Sequence, residues 1–120
     1  MKKIMIVEDE PSTVKLLKIL LKKNNYEVSS YINGKKAVEA VEKERPDLIL
    51  MDIMMPEMDG IEAIGKIKKL QSNKKIPIII LSSLEHEIEV NRGLDAGAMG
   101  YVVKPFDTKK LLREIEKNLS

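Results

Sequence analysis

The chain contains no cysteine, which excludes disulfides, thiol nucleophiles and thiolate metal sites and suits a reducing compartment. It has a single histidine, His86. One imidazole with no thiolate beside it cannot assemble a zinc centre, and between Glu85 and Glu87 it reads as a solvated side chain rather than a ligand. Neither sign of charge prevails. The 21 basic and 19 acidic residues leave a net charge of +2, too balanced to argue for direct nucleic-acid binding or an anionic membrane surface. No apolar run is long enough to cross a bilayer, and two lysines followed only by Ile4–Val7 are too short for a signal peptide. These absences lead to the expectation of a soluble cytoplasmic protein with no membrane partner.

What is present fits one ordinary domain. The 120 residues are 43% apolar and 33% charged, enough for a core beneath an ionic surface. No repeat, linker or low-complexity segment interrupts them. The most informative stretch is Pro46–Gly60. Leu48, Ile49, Leu50 and Met51 form an unbroken apolar run, as in a strand covered on both faces. Asp52 follows directly. A buried carboxylate needs partners or a shifted pKa, and the plainer alternative is a turn aspartate capping the next helix. Pro56 and Asp59-Gly60 close the segment as a loop.

Four further β-α units share this pattern. Ile4–Val7 reads as a buried strand running into Glu8-Asp9-Glu10, with Pro11 suited to open a helix carrying Val14, Leu17, Leu20 and Leu21 on one face. Tyr26–Ile32 is a mixed strand, and Asn33-Gly34 starts a helix with Ala37, Val38 and Val41 inward. Ile61, Ile64, Ile67 and Leu70 repeat at helical spacing. Ile76–Leu81 is a strongly apolar strand followed by Ser82-Ser83, then a helix over Glu85–Ala96 with Ile88, Val90 and Leu94 as its stripe. Tyr101–Val103 is a short strand ended by Lys104-Pro105. Asp107 or Thr108 caps a last helix with Leu111, Leu112, Ile115 and Leu119 inward.

Five alternating β-α units imply a doubly wound parallel sheet of flavodoxin-like (βα)5 type. The first, third and fourth strands are almost purely apolar, as interior strands must be, whereas the second and fifth are mixed. The order 2-1-3-4-5 places the mixed strands at the edges and the switch point between strands one and three, where such folds hold ligands. The carboxyl ends then bring together Glu8, Asp9, Asp52, Ser82 and Lys104. Singly these are caps, turns and solvated charges. Convergence from four strands is harder to explain that way. Two carboxylates about 5 Å apart repel by roughly 3 kcal/mol at an effective dielectric near 20. A divalent ion offsets this, and oxygen donors without histidine or cysteine favour Mg²⁺. Mg²⁺ beside a carboxylate, an amine and a hydroxyl suits phosphoryl transfer, with Asp52 as the nucleophile.

With Glu8-Asp9, the run Asp52–Gly60, Ser82, and Gly100–Phe106 in this order and spacing, the whole chain resembles the receiver domain of two-component response regulators. The resemblance implies a single receiver domain over residues 1–120. It implies Asp52 as phosphoacceptor, Mg²⁺ bound by Asp9, Asp52 and the backbone carbonyl of Met54 directly and by Glu8 largely through water, and Lys104 pairing first with Asp52 and then with the phosphoryl oxygens. Ser82 would turn to hydrogen-bond the phosphoryl group and Tyr101 would move inward with it. A cis Lys104-Pro105 bond is implied as well. The donor would be a sensor histidine kinase or phosphotransfer protein. The output partner would meet the face formed by the fourth helix, fifth strand and fifth helix. Glu8 stands where aspartate is commoner, and Ser82 where threonine is. Met54 and Leu84, two residues beyond the acceptor and the switch hydroxyl, are apolar and unable to orient a water, so slow self-dephosphorylation is expected. Met54, Met55 and Met58 read mainly as packing.

Two rival readings differ in chemistry. A Mg²⁺-dependent phosphatase with an aspartyl-phosphate intermediate usually carries its nucleophile after the first strand and has a cap. A flavin module would need a phosphate-binding loop where Glu8-Asp9-Glu10 would repel one.

Overall fold

The computed structural model describes residues 1–55, 59–70, 76–83 and 86–119. Its elements alternate strictly: β1 (Lys3–Val7), α1 (Pro11–Lys23), β2 (Glu27–Tyr31), α2 (Gly34–Glu44), β3 (Leu48–Asp52), α3 (Gly60–Leu70), β4 (Ile78–Ser82), α4 (Glu87–Ala96), β5 (Gly100–Val103) and α5 (Thr108–Leu119). The strands form one parallel sheet in the order β2-β1-β3-β4-β5, as the distribution of apolar residues predicts. Every residue of β3 and β4 is buried, while β2 has no buried residue and β5 only Val102.

The pleat sorts the apolar residues between two cores. Met5, Val7, Ile49, Met51, Ile78 and Ile80 face the layer of α2, α3 and α4. Ile4, Ile6, Leu48, Leu50, Ile79 and Leu81 face α1 and α5, meeting Leu17, Leu21, Leu111 and Ile115. A strand between two such layers needs apolar residues at every position, which is why its sequence shows no alternation.

Local chemistry fixes the helix starts. Pro11 occupies the first turn of α1. Asn33 Oδ1 accepts the Lys36 amide at 2.8 Å. Asp59 Oδ1 accepts the Glu62 amide at 2.9 Å. Asp107 Oδ1 accepts those of Lys109 and Lys110 at 3.0 and 3.2 Å, so of the two expected candidates Asp107 caps α5. The Lys104-Pro105 bond is cis.

Some expectations about the elements differ from the structure. Ile88 is 71% exposed and lies off the buried side of α4, which instead uses Val90 and Gly93; Gly93 lets the helix approach Ile80, whose Cδ1 would stand 2.5 Å from an added Cβ. Leu70, at the end of α3, is also exposed. The fourth strand begins at Ile78, two residues later than its apolar run. Glu85, the expected first residue of α4, lies outside the described residues, as do Pro56, Glu57, Met58 and Leu84.

Candidate functional site

The parallel sheet aligns the carboxyl ends of β1, β3, β4 and β5 along one edge. Glu8 continues β1, its amide donating to Tyr31 O at 3.0 Å, and is 1% exposed. Asp9, the next residue, is exposed. Asp52 ends β3 and is buried. Carboxylate oxygens of Glu8, Asp9 and Asp52 lie within 4.8 Å of one another. Asp52 is no helix cap: its Oδ1 accepts the Met54 amide at 2.9 Å, leaving Oδ2 toward Lys104.

The Lys104 ammonium enters from the end of β5. Its Nζ stands 2.7 Å from Glu8 Oε1 and 3.6 Å from Asp52 Oδ2. Lys104 is therefore shared between the two acids, and the closer partner is Glu8, not Asp52 as the resemblance implies. The longer glutamate arm provides that reach. One ammonium does not balance three acids. Burial, only partly offset by Lys104 and reinforced by Asp52, pushes Glu8 up to about 7. Burial pulls Lys104 down, but its bonds to Glu8 and the charge of Asp52 outweigh this and raise its pKa. The site thus lacks positive charge.

Ser82 ends β4 and is buried. Its Oγ donates to Ser83 O at 3.1 Å rather than to Asp52. Tyr101 on β5 is 51% exposed and, with Ser83, Val90 and Val103, lines a cavity of about 230 Å³. The structure therefore unites Glu8, Asp9, Asp52 and Lys104, sets Ser82 on the adjacent strand with its hydroxyl turned aside, and leaves Tyr101 outward. Met54 is 48% exposed, unlike buried Met55, so packing accounts for only one of the two.

His86 departs from its reading as a solvated side chain. It is half-buried, and its Nδ1 is 2.8 Å from Ser83 Oγ. A serine three residues before a histidine at a helix start is the sequence signal that could have shown the pair. Gly60 has a similarly specific place. A Cβ there would fall 2.4 Å from both Asp52 O and Ile53 Cα, so only glycine lets α3 begin against the end of β3.

Three oxygen donors, two of them buried and held in common by one lysine, fit a hard divalent cation with Mg²⁺ chemistry. A model of the response regulator receiver domain matches residues 4–116. Among solved structures, the Vibrio cholerae chemotaxis protein CheY4 is 30% identical with a TM-score of 0.91, covering 99% of each chain. The receiver domain of a Pseudomonas aeruginosa sensor histidine kinase, solved with magnesium coordinated in its active-site cleft, is 30% identical with a TM-score of 0.90, covering 98% of this chain and 97% of that one. The signal receiver domain of a Syntrophus aciditrophicus signal transduction histidine kinase is 34% identical with a TM-score of 0.90, over 99% and 90% of the two chains.

Proposed function

Because the chain belongs to the response regulator receiver domain family, whose members take a phosphoryl group from histidine kinases onto an aspartate with Mg²⁺, we propose that Asp52 is its phosphoacceptor. The observation that carries this is the trio of acids at the end of the sheet with Lys104 between Glu8 and Asp52. Asp52 Oδ2, which faces Lys104 at 3.6 Å, is the nucleophilic oxygen, since Oδ1 accepts the Met54 amide. Glu8, Asp9, Asp52 and the Met54 carbonyl would hold the metal, which when bound neutralises charge on the transferring group. Lys104 then moves from Glu8 to the phosphoryl oxygens, and the Ser82 hydroxyl turns to donate to them.

The phosphoryl group adds about one and a half to two negative charges. Holding it with Ser82 and Lys104 shifts the end of β4 and draws Tyr101 inward. The altered face is α4, β5 and α5. The donor is a sensor histidine kinase or phosphotransfer protein, and an output protein or domain reads the changed face, without direct nucleic-acid binding by these residues. The whole of residues 1–120 forms one receiver unit, and it works in the cytoplasm. Among the described residues no helix is long and apolar enough to cross a membrane. The module catalyses only its own phosphorylation and slow dephosphorylation, and nothing in the relatives supports the phosphatase reading.

Incubation with a radiolabelled phosphodonor and Mg²⁺ tests the assignment. Label is expected on the unaltered protein and absent from Asp52→Asn; normal labelling of the variant would refute it.

A further inference from the structure

The hydrogen bonds at the end of β4 converge on one serine carbonyl. Ser82 Oγ donates to Ser83 O at 3.1 Å. The His86 amide donates to the same oxygen at 3.2 Å. Ser83 Oγ and His86 Nδ1 share a further bond of 2.8 Å. On the strand side, the Lys104 amide donates to Ser82 O at 2.6 Å. Ser83 is thus gripped by His86 through both its main chain and its side chain, and the carbonyl so fixed is the one that occupies the Ser82 hydroxyl. A serine hydroxyl has one proton. Donating it to Ser83 O and donating it to a phosphoryl oxygen exclude each other.

We propose that Ser83 and His86 form a latch that holds the Ser82 hydroxyl in its turned-aside orientation and so sets how readily the phosphoryl-bound arrangement is reached. The inference rests on the reading of Ser82 as a phosphoryl ligand. His86 is a positioning residue: it acts through Ser83 on Ser82 and touches no reacting atom. Removing its imidazole leaves Ser83 with the single backbone bond from residue 86. The carbonyl is then held from residue 86 by that bond alone, and release of the Ser82 hydroxyl becomes easier. The cavity bounded by Ser83, Val90, Tyr101 and Val103, about 230 Å³, gives that release room without compressing the core.

Calorimetric titration with trifluoroberyllate, a tetrahedral phosphoryl mimic, at saturating Mg²⁺ reads the latch directly. His86→Ala and Ser83→Ala, which remove the same bond from opposite ends, are each expected to tighten binding by about two- to tenfold, the worth of one net hydrogen bond. In a Ser82→Ala background His86→Ala is expected to change nothing, because no hydroxyl remains to be released. A merely structural role for His86 would not depend on Ser82 in this way. Unchanged or weaker binding in both single variants, or an equal gain without Ser82, overturns the latch. Failure of the unaltered protein to bind the mimic overturns the phosphoacceptor reading, and the latch with it.

Discussion

Glu8 is where burial and function pull in opposite directions. Its pKa rises from 4.5 to about 7 because the fold removes it from water. Between those two values the folded, metal-free protein holds a proton that the unfolded chain releases. That contribution to stability is therefore complete below about pH 4.5 and is lost as the pH rises through about 7, the reverse of an ordinary paired carboxylate. Urea unfolding in chelator should show the metal-free protein losing stability across this window. A cation needs the deprotonated acid, so calorimetric Mg²⁺ affinity should fall by up to about tenfold per pH unit below about 7. Met54 supports a second residue-scale expectation. It is half-exposed beside Asp52 yet has no group able to orient a water, so the aspartyl phosphate should decay over minutes or longer; a half-life of seconds, followed by loss of label from purified protein, would contradict this. The acids, Lys104 and Ser82 were legible in the sequence because topology alone aligns strand ends. The preference of Lys104 for Glu8 and the Ser83–His86 bond were not, because they depend on side-chain reach within a few ångströms.

Among the helices, α3 carries two glycines with opposite meanings. Gly60 abuts the backbone of Asp52 and Ile53, whereas nothing lies within 4 Å of a Cβ built on Gly65. Gly65→Ala should stabilise the protein by about 0.5–1 kcal/mol, the ordinary gain of alanine over glycine inside a helix. Gly60→Ala should destabilise by about 1–3 kcal/mol, since rigid main chain must shift, and should weaken Mg²⁺ binding as Asp52 moves. Chemical denaturation of both variants checks the contrast. Element type and order followed from periodicity, with helix starts fixed by Pro11, Asn33, Asp59 and Asp107. Boundaries were less legible where packing decided them: Ile88 is turned to solvent because Gly93 brings the other side of α4 onto Ile80.

Taken as a whole, the molecule keeps an electrostatic imbalance at the open end of a sheet whose interior strands are almost wholly apolar. A ligand that binds only the folded state stabilises it by mass action. Mg²⁺ at a hundred times its dissociation constant should add about 2.7 kcal/mol to unfolding stability. Asp52→Asn, with one carboxylate fewer, should respond less to the ion and be more stable than the unaltered protein in chelator. Thermal unfolding with and without Mg²⁺ measures both effects. The sheet order was legible because β3 and β4 are buried along their full length while β2 and β5 are not.

The marginal station of β5 has a consequence for signalling. Among the described residues its one neighbouring strand is β4, and Tyr101 looks outward from it. Movement there would disturb that one ladder and leave the pairing of the other four strands intact. Under the proposed switching, a message written at the centre of the molecule would be read at its border, while the interior that holds the writing surface stays fixed.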